Sequence, residues 1–390
     1  MKAIISTAAG AGLLLVIIYD VYATVLHSSA RYGPIGERMD RGVWRAARAV
    51  AFRLPRMQRH KFLNLVGPLM LPLLLLTYIV LLVVAFALVY YPHLATDFNA
   101  AREAAGTGFD DALYFSGMTL TTLGYGDITP LPGPMRFVAV FESAVGIISI
   151  TLAITYLLTI YGALEHKRIA ALSLYHQAGE GADAAGFIAH HYVEGQFYGL
   201  RGALSTSTRD LQALLESHVE HPVIHYFHPA EVYKSLPRML FLLLESCSLI
   251  RTSLDPEENS DLRNYPEVRT LEASARHVLR ELLHSLDIER RARPRRDTPA
   301  EAAEDDERWL KRYRQSVESL NAAGIVTRRD LDASWEEYRA QRQEWESKLQ
   351  RLSLHLGYDW EEITGDRDLD YAADEEKEKP QDGKRQYRER

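Results

Sequence analysis

The chain has 390 residues and one cysteine, Cys247, so an intramolecular disulfide framework and any CxxC metal site are excluded. Cys247 reads as a small buried thiol on a helix. Strand-like alternation is also scarce, and no nucleophile–base arrangement stands out, which argues against an enzyme. No apolar run carries an arginine at every third position, which excludes a voltage-sensing helix. "GEGADAAG" (Gly179 to Gly186) follows no strand, so a nucleotide-binding reading is weak there. Nothing points to nucleic acid, and no organic cofactor is identified.

What is present is uneven. Hydrophobic residues make up 47% and charged residues 25%, with a net charge of −7, but these averages hide a division. Roughly the first 165 residues hold most of the long apolar runs, and the remainder is rich in Arg, Glu and Asp. Crossing a membrane takes about 20 apolar residues. Three segments reach that length: Ala3 to about Leu26, about Phe62 to Tyr91, and about Met135 to Tyr161. The first could be taken for a cleaved signal, with "SSA" at Ser28 to Ala30 as the cleavage site. However, the next segment carries Arg31, Arg38, Arg41, Arg45, Arg48, Arg53, Arg56, Arg59 and Lys61 against Glu37 and Asp40 alone. So basic a segment stays in the cytoplasm. The first run is then an uncleaved anchor with the N-terminus outside, and the C-terminal part, opening at Glu165, is cytoplasmic. Most charges in the outer loop are acidic (Asp97, Glu103, Asp110, Asp111, Asp127), which favours cations at that mouth.

Between the second and third runs lies "TLTTLGYGDITP", Thr119 to Pro130. The preceding "FDDALYFSGMTLTT" predicts a short helix with Asp110 or Asp111 at its N-cap or first turn. It is too short to span, so it fits a re-entrant helix, whose irregular continuation survives at membrane depth only inside protein or beside water. "TLGYGD", Thr122 to Asp127, resembles the selectivity filter of tetrameric potassium channels, T-V/I/L-G-Y-G-D. Its surroundings resemble the bacterial two-helix pore module. The resemblance implies K⁺ as the permeant ion, held by the carbonyls of Thr122, Leu123, Gly124 and Tyr125 with the Thr122 hydroxyl, and a homotetramer around one axis. Gly124 and Gly126 permit the left-handed torsions that let successive carbonyls face the axis. Tyr125 is expected to brace the filter against the pore helix.

The resemblance extends to the third run. Gly146 stands where many relatives have a hinge glycine, though close helix packing explains it equally. Ile147, Ile150, Ile154 and Leu158 recur at helical spacing and are expected to line the cavity and form a gate, or else to meet lipid. Glu142 is read as a buried partner behind the filter, since an intramembrane carboxylate is costly unless paired. Some relatives carry a glutamate where this chain has Met118, which leaves Tyr114 as the candidate partner of Asp127. "YDVYATVLH" resembles the start of a bacterial ion-channel group. Its Asp20 either pairs with a following arginine or lies wet at the inner interface, the latter being favoured.

The expected architecture is an all-α membrane protein: an N-terminal transmembrane helix (1–28), a basic interfacial segment (29–61), and a pore domain (62–164). The pore domain comprises an outer helix (62–91), a pore helix (109–121), a filter (122–127) and an inner helix (134–161). An all-helical cytoplasmic domain (165–365) and a disordered tail (366–390) follow. Helices are predicted at 165–178, 183–197, 207–220, 229–252, 266–290, 301–320 and 328–354. Arg41 to Leu54 puts Val43, Trp44, Ala47, Val50, Ala51 and Leu54 on one face, the pattern of a helix lying on anionic lipid, with packing against the cytoplasmic domain as the competing explanation. His218, His221, His225 and His228 cluster; a structural or surface role is preferred to metal binding or pH sensing. "LPRMLFLLLESCSLI" is too short for a fourth span and is expected in a bundle core or subunit interface. The function expected is potassium conduction across the plasma (inner) membrane, under an unknown regulatory ligand. The alternative is a receptor or scaffold whose pore module only oligomerises it.

Overall fold

The computed structural model describes residues 1–26, 33–100, 108–179, 183–288 and 299–365. The predicted tail, 366–390, lies outside them. Two compact units emerge: one comprises Met1–Ala47, Val66–Gly162 and Glu220–Ile224, the other the remaining residues.

Three helices, whose apolar stretches lie mostly in the first unit, are long and apolar enough to cross a membrane. Helix α1 (Lys2–Val21) is followed by one π-helical turn, Tyr22–Leu26; α2 (Pro34–Ala51) then leads to α3 (Arg56–Tyr90). Two short elements follow, α4 (Leu94–Asp97) and β1 (Phe98–Ala100). Next come α5 (Phe109–Leu120), β2 (Ile128–Pro130) and the 44-residue α6 (Pro134–Gln177). Helix α1 lies close on α3 because Gly10 has no side chain: a Cβ there would come 2.5 Å from the Ala85 carbonyl oxygen. Ser6 Oγ also donates to the Leu88 carbonyl at 2.7 Å. Such small-residue contacts are how helices approach one another in lipid.

Asp20 corrects the favoured expectation, while Arg31, the arginine that follows it first, lies outside the described residues. Asp20 is not wet but fully buried, and among the described residues its partners are not arginines. Its carboxylate accepts from the backbone N–H of Ile35 (2.8 Å) and Gly36 (3.3 Å), capping α2 from outside, and from the Tyr78 hydroxyl of α3 at 2.6 Å. A carboxylate at a helix start meets unpaired N–H groups and the positive end of the dipole. The neighbouring Gly33 N–H donates to Thr24 Oγ1 at 3.2 Å. On the apolar face of α2, Trp44, Ala47 and Ala51 are buried within the protein, whereas Val50 is exposed.

The second unit is built round α9 (Leu236–Thr252), buried along almost its whole length. Ser235 sets its start by accepting from the Arg238 N–H, and Pro237 follows in the first turn. Before it lie α7 (Ala184–His190) and α8 (Leu200–Glu220). After it come α10 (Ser260–Arg263), α11 (Pro266–Ser285), α12 (Pro299–Ala322), α13 (Leu331–Gln343), α14 (Glu346–His355) and α15 (Trp360–Thr364). Helices α7, α11, α13, α14 and α15 pack on α9. Cys247 is buried on α9, at the centre of this core. Two of its buried charges have partners: Glu245 accepts from the Tyr338 hydroxyl at 2.5 Å, and the Arg342 guanidinium lies 4.0 Å from the Trp309 ring centre.

Several predicted helices have different ends. The 183–197 helix stops at His190, and β3 (Tyr192–Val193) and β4 (Gln196–Phe197) form a hairpin. Its two-residue turn, Glu194–Gly195, has φ of 50° and 83°, the primed geometry that tight hairpins need. The 328–354 helix divides between α13 and α14. The outer and inner helices, expected at 62–91 and 134–161, instead run over 56–90 and 134–177.

Candidate functional site: the loop after helix α5

Helix α5 begins where the Gly108 N–H donates to the Asp111 carboxylate at 3.1 Å, with Asp110 and Asp111 both in its first turn. Its far end turns directly into the glycine loop. The N–H groups of Leu123 and Gly124 donate back to the Met118 carbonyl, at 3.0 and 3.3 Å. Positive φ then falls on alternate residues: Thr122 at 61°, Gly124 at 53° and Gly126 at 77°. Leu123 and Tyr125 between them keep ordinary negative φ. For the glycines a positive φ costs no Cβ clash; for Thr122 it is a strained position, of the kind found at functional sites. The whole stretch from Thr121 to Asp127 is exposed in the single chain.

Two devices hold the loop. The Tyr114 hydroxyl donates to Asp127 at 2.7 Å, tying the loop's exit to α5. Tyr125 is 73% exposed in the single chain. Beyond Asp127, β2 pairs antiparallel with β1, with Asn99 opposite Thr129, and the Leu131 N–H donates to the Asp97 carbonyl at 2.8 Å. This ladder went unseen in the sequence, since three-residue strands leave too little alternation to read.

Behind the loop, Glu142 of α6 is completely buried. It accepts from the Tyr90 hydroxyl of α3 at 2.7 Å and from Ser116 Oγ of α5 at 2.5 Å, so one carboxylate joins three helices. Ser143 Oγ donates to the Thr119 carbonyl at 3.2 Å. One turn on, a Cβ on Gly146 would collide with the Leu120 carbonyl oxygen, so α6 touches the end of α5 backbone to backbone. Tyr90, Phe98 and Phe115 stack edge to face around this contact, at 5.0 to 5.7 Å. The sequence reading missed Ser116 and Tyr90; a hydroxyl inside an apolar half-helix and one at a span's end were the available signals. Ile147, Ile150, Ile154 and Leu158 are all exposed on α6.

The histidines do not converge on one point. In the second unit, His218 Nδ1 lies 2.9 Å from His225 Nδ1, and both rings are buried, as is His228. His221, in the first unit, packs edge-on against Tyr156. Among the described residues no His, Cys, Asp and Glu group has the geometry of a metal site. His228 instead continues a buried chain: Glu362 Oε1 to His60 Nε2 (3.0 Å), His60 Nδ1 to His228 Nε2 (2.7 Å), His228 Nδ1 to the Leu356 carbonyl (3.0 Å). Both ends are acceptors, so these three contacts need three protons, one more than two neutral imidazoles carry. Burial would push the Glu362 carboxyl up, but the His60 hydrogen bond and charge, with Arg56 alongside, hold it down at about 2. Burial drives His218 and His228 well below the usual range and His225 to about 3.

Three membrane-length helices, with a half-length helix and an alternating-torsion loop between the second and third, define a membrane protein built on a pore-type module. Residues 78–162 match the family described as "Ion channel". Over 265 residues the chain is 27% identical to the uncharacterized membrane protein YdjJ of Bacillus subtilis (strain 168), covering 67% of this chain and 74% of that protein. It is also 42% identical over 57 residues to protein LctB of Bacillus caldotenax, covering 15% of this chain and 42% of LctB. To protein LctB of Geobacillus stearothermophilus it is 46% identical over 46 residues, 12% of this chain and 34% of that protein. The chain thus spans less than half the length of either LctB. No solved structure matches.

Proposed function

We propose that this protein is a potassium-selective channel. In this reading, four copies bring their Thr122–Asp127 loops to one axis, where the carbonyls of Thr122, Leu123, Gly124 and Tyr125 replace the water around K⁺. The observation that carries the reading is the alternation of left-handed torsions at Thr122, Gly124 and Gly126 within "TLGYGD", directly after the C-terminal end of α5. That helix end contributes negative dipole charge, which favours a cation. The exposed stripe Ile147, Ile150, Ile154 and Leu158 becomes the cavity wall and gate, with Gly146 and Glu142 seating α6 against α5. Met1 lies outside and the second unit in the cytoplasm, in the plasma (inner) membrane, with the basic face of α2 towards anionic headgroups. The second unit regulates the pore through α6, which runs unbroken from Pro134 to Gln177.

The test is ion flux into liposomes holding the purified protein. Potassium uptake should exceed sodium uptake, and Gly124→Asp should abolish it by placing a side chain and a charge where neither fits. Crosslinking should stop at four copies. A parent protein that oligomerises but passes no ion would favour the scaffold; flux without preference between the cations would sink the filter.

A further inference from the structure

The second unit encloses a small cavity of about 10 Å³, lined by Lys167, His218, His225, His228 and Tyr358 among apolar walls that include Leu282 and Leu352. That volume admits one water-sized particle. Its polar lining is lopsided. Lys167 is 7% exposed, and among the described residues it makes no ion pair. His218 is 2% exposed and keeps a buried Nε2 without a hydrogen-bond partner, its Nδ1 being taken by His225. Tyr358 is 2% exposed, its ring stacked on His228 at 4.2 Å, and its hydroxyl is buried without a partner. Among the described residues no carboxylate lines the cavity. The acids nearest in charge to Tyr358 are engaged elsewhere: Glu362 with Arg56 and His60, Glu231 with Lys234.

Lys167 is more than nine-tenths removed from water with no acid beside it, and proteins answer a cation so placed by pairing it. Here the missing partner must be an acceptor, must be small, and must tolerate apolar walls. A water can accept one hydrogen bond but leaves the charge unanswered. A phosphate or an organic carboxylate is too large.

We propose that this cavity is an anion site, in which the Lys167 ammonium, the Tyr358 hydroxyl and the edge of His218 hold one weakly hydrated inorganic anion of halide size, such as chloride. The site is distinct from the glycine loop and stands whether or not the chain conducts potassium. Lys167 sits on α6, the helix that also forms the third span, so occupancy bears on the element carrying the Ile147 to Leu158 stripe.

The test uses the full chain in detergent, with thermal unfolding followed in sodium chloride and in sodium gluconate at equal ionic strength; gluconate is too large to enter. Chloride should raise the melting temperature in a saturating manner, as a ligand of the folded state does. Lys167→Met should remove the difference between the two salts. Tyr358→Phe, the milder change, should raise the half-saturating chloride concentration by roughly five-fold, the loss of one hydrogen bond. Bromide should give an anomalous diffraction peak in the cavity. Equal melting temperatures in the two salts, or the same chloride effect in parent and Lys167→Met, would mean that the cavity holds water only and would overturn the proposal. Should Lys167→Met fail to fold, Tyr358→Phe and the bromide peak decide: an unshifted midpoint with an empty cavity overturns it equally.

Discussion

At the scale of single residues, Gly146 and Glu142 show how opposed magnitudes decide an outcome. Replacing a helical glycine by alanine ordinarily gains about 1 kcal/mol. At Gly146 the added Cβ would meet the Leu120 carbonyl, a backbone atom at the end of α5 that cannot rotate aside. Overpacking of this kind costs about 1–3 kcal/mol. Gly146→Ala should therefore lower the melting temperature in detergent and reduce ion flux; an unchanged or raised melting temperature would show that α5 and α6 yield there. Glu142→Leu takes the acceptor away from both Tyr90 and Ser116. Ser116 Oγ retains the Val83 carbonyl at 3.0 Å, so the larger loss falls on Tyr90, a buried hydroxyl left unpaired at a cost of about 1–3 kcal/mol. Adding Tyr90→Phe to Glu142→Leu should recover part of that loss in thermal unfolding, because it removes the orphaned group.

At the scale of elements, α1, α2 and α3 are joined through Asp20. Asp20→Ala removes the cap of α2 and the acceptor of Tyr78 together. The cap alone is worth about 0.5–2 kcal/mol. Amide hydrogen exchange in the first turn of α2, at Ile35 and Gly36, should accelerate while exchange in the buried α9 stays unchanged. Equal acceleration in both would mean general unfolding instead. The same element shows where sequence reading ended. The arginine-rich face of α2 was legible from its period, but the opposite face gave no sign of whether lipid or protein covers Trp44. Helix lengths were misjudged for a related reason: apolar composition marks where a span is hydrophobic, not where its hydrogen-bonded ladder stops, so α3 begins before the apolar run and α6 continues beyond it.

At the scale of the whole molecule, the second unit's stability should depend on pH in one direction. His218, His225 and His228 take up protons in the unfolded chain near the ordinary value of about 6.5, whereas burial prevents this in the folded state, down to about 3 for His225. The unfolded state then binds more protons between those values, so stability falls as pH falls below about 6.5. Glu362 adds a second loss at lower pH: its folded value of about 2 lies below its ordinary 4.5, so its contribution is present above 4.5 and disappears as pH drops towards 2. Urea midpoints of the full chain should decline from neutral pH downward, and His225→Asn should flatten the upper part of that slope. A flat profile would mean that these imidazoles are open to protons in the folded protein.

The three spans, the half-length helix and the glycine loop are legible in consecutive residues: apolar length, a carboxylate at a helix start, glycines where φ must be positive. What Asp20 caps, why Gly146 has no side chain, which hydroxyls meet Glu142 and that His60 joins His228 emerge from the folded chain alone. Those pairings link residues far apart in the chain, and a local pattern records that a polar group is buried without recording which distant group answers it.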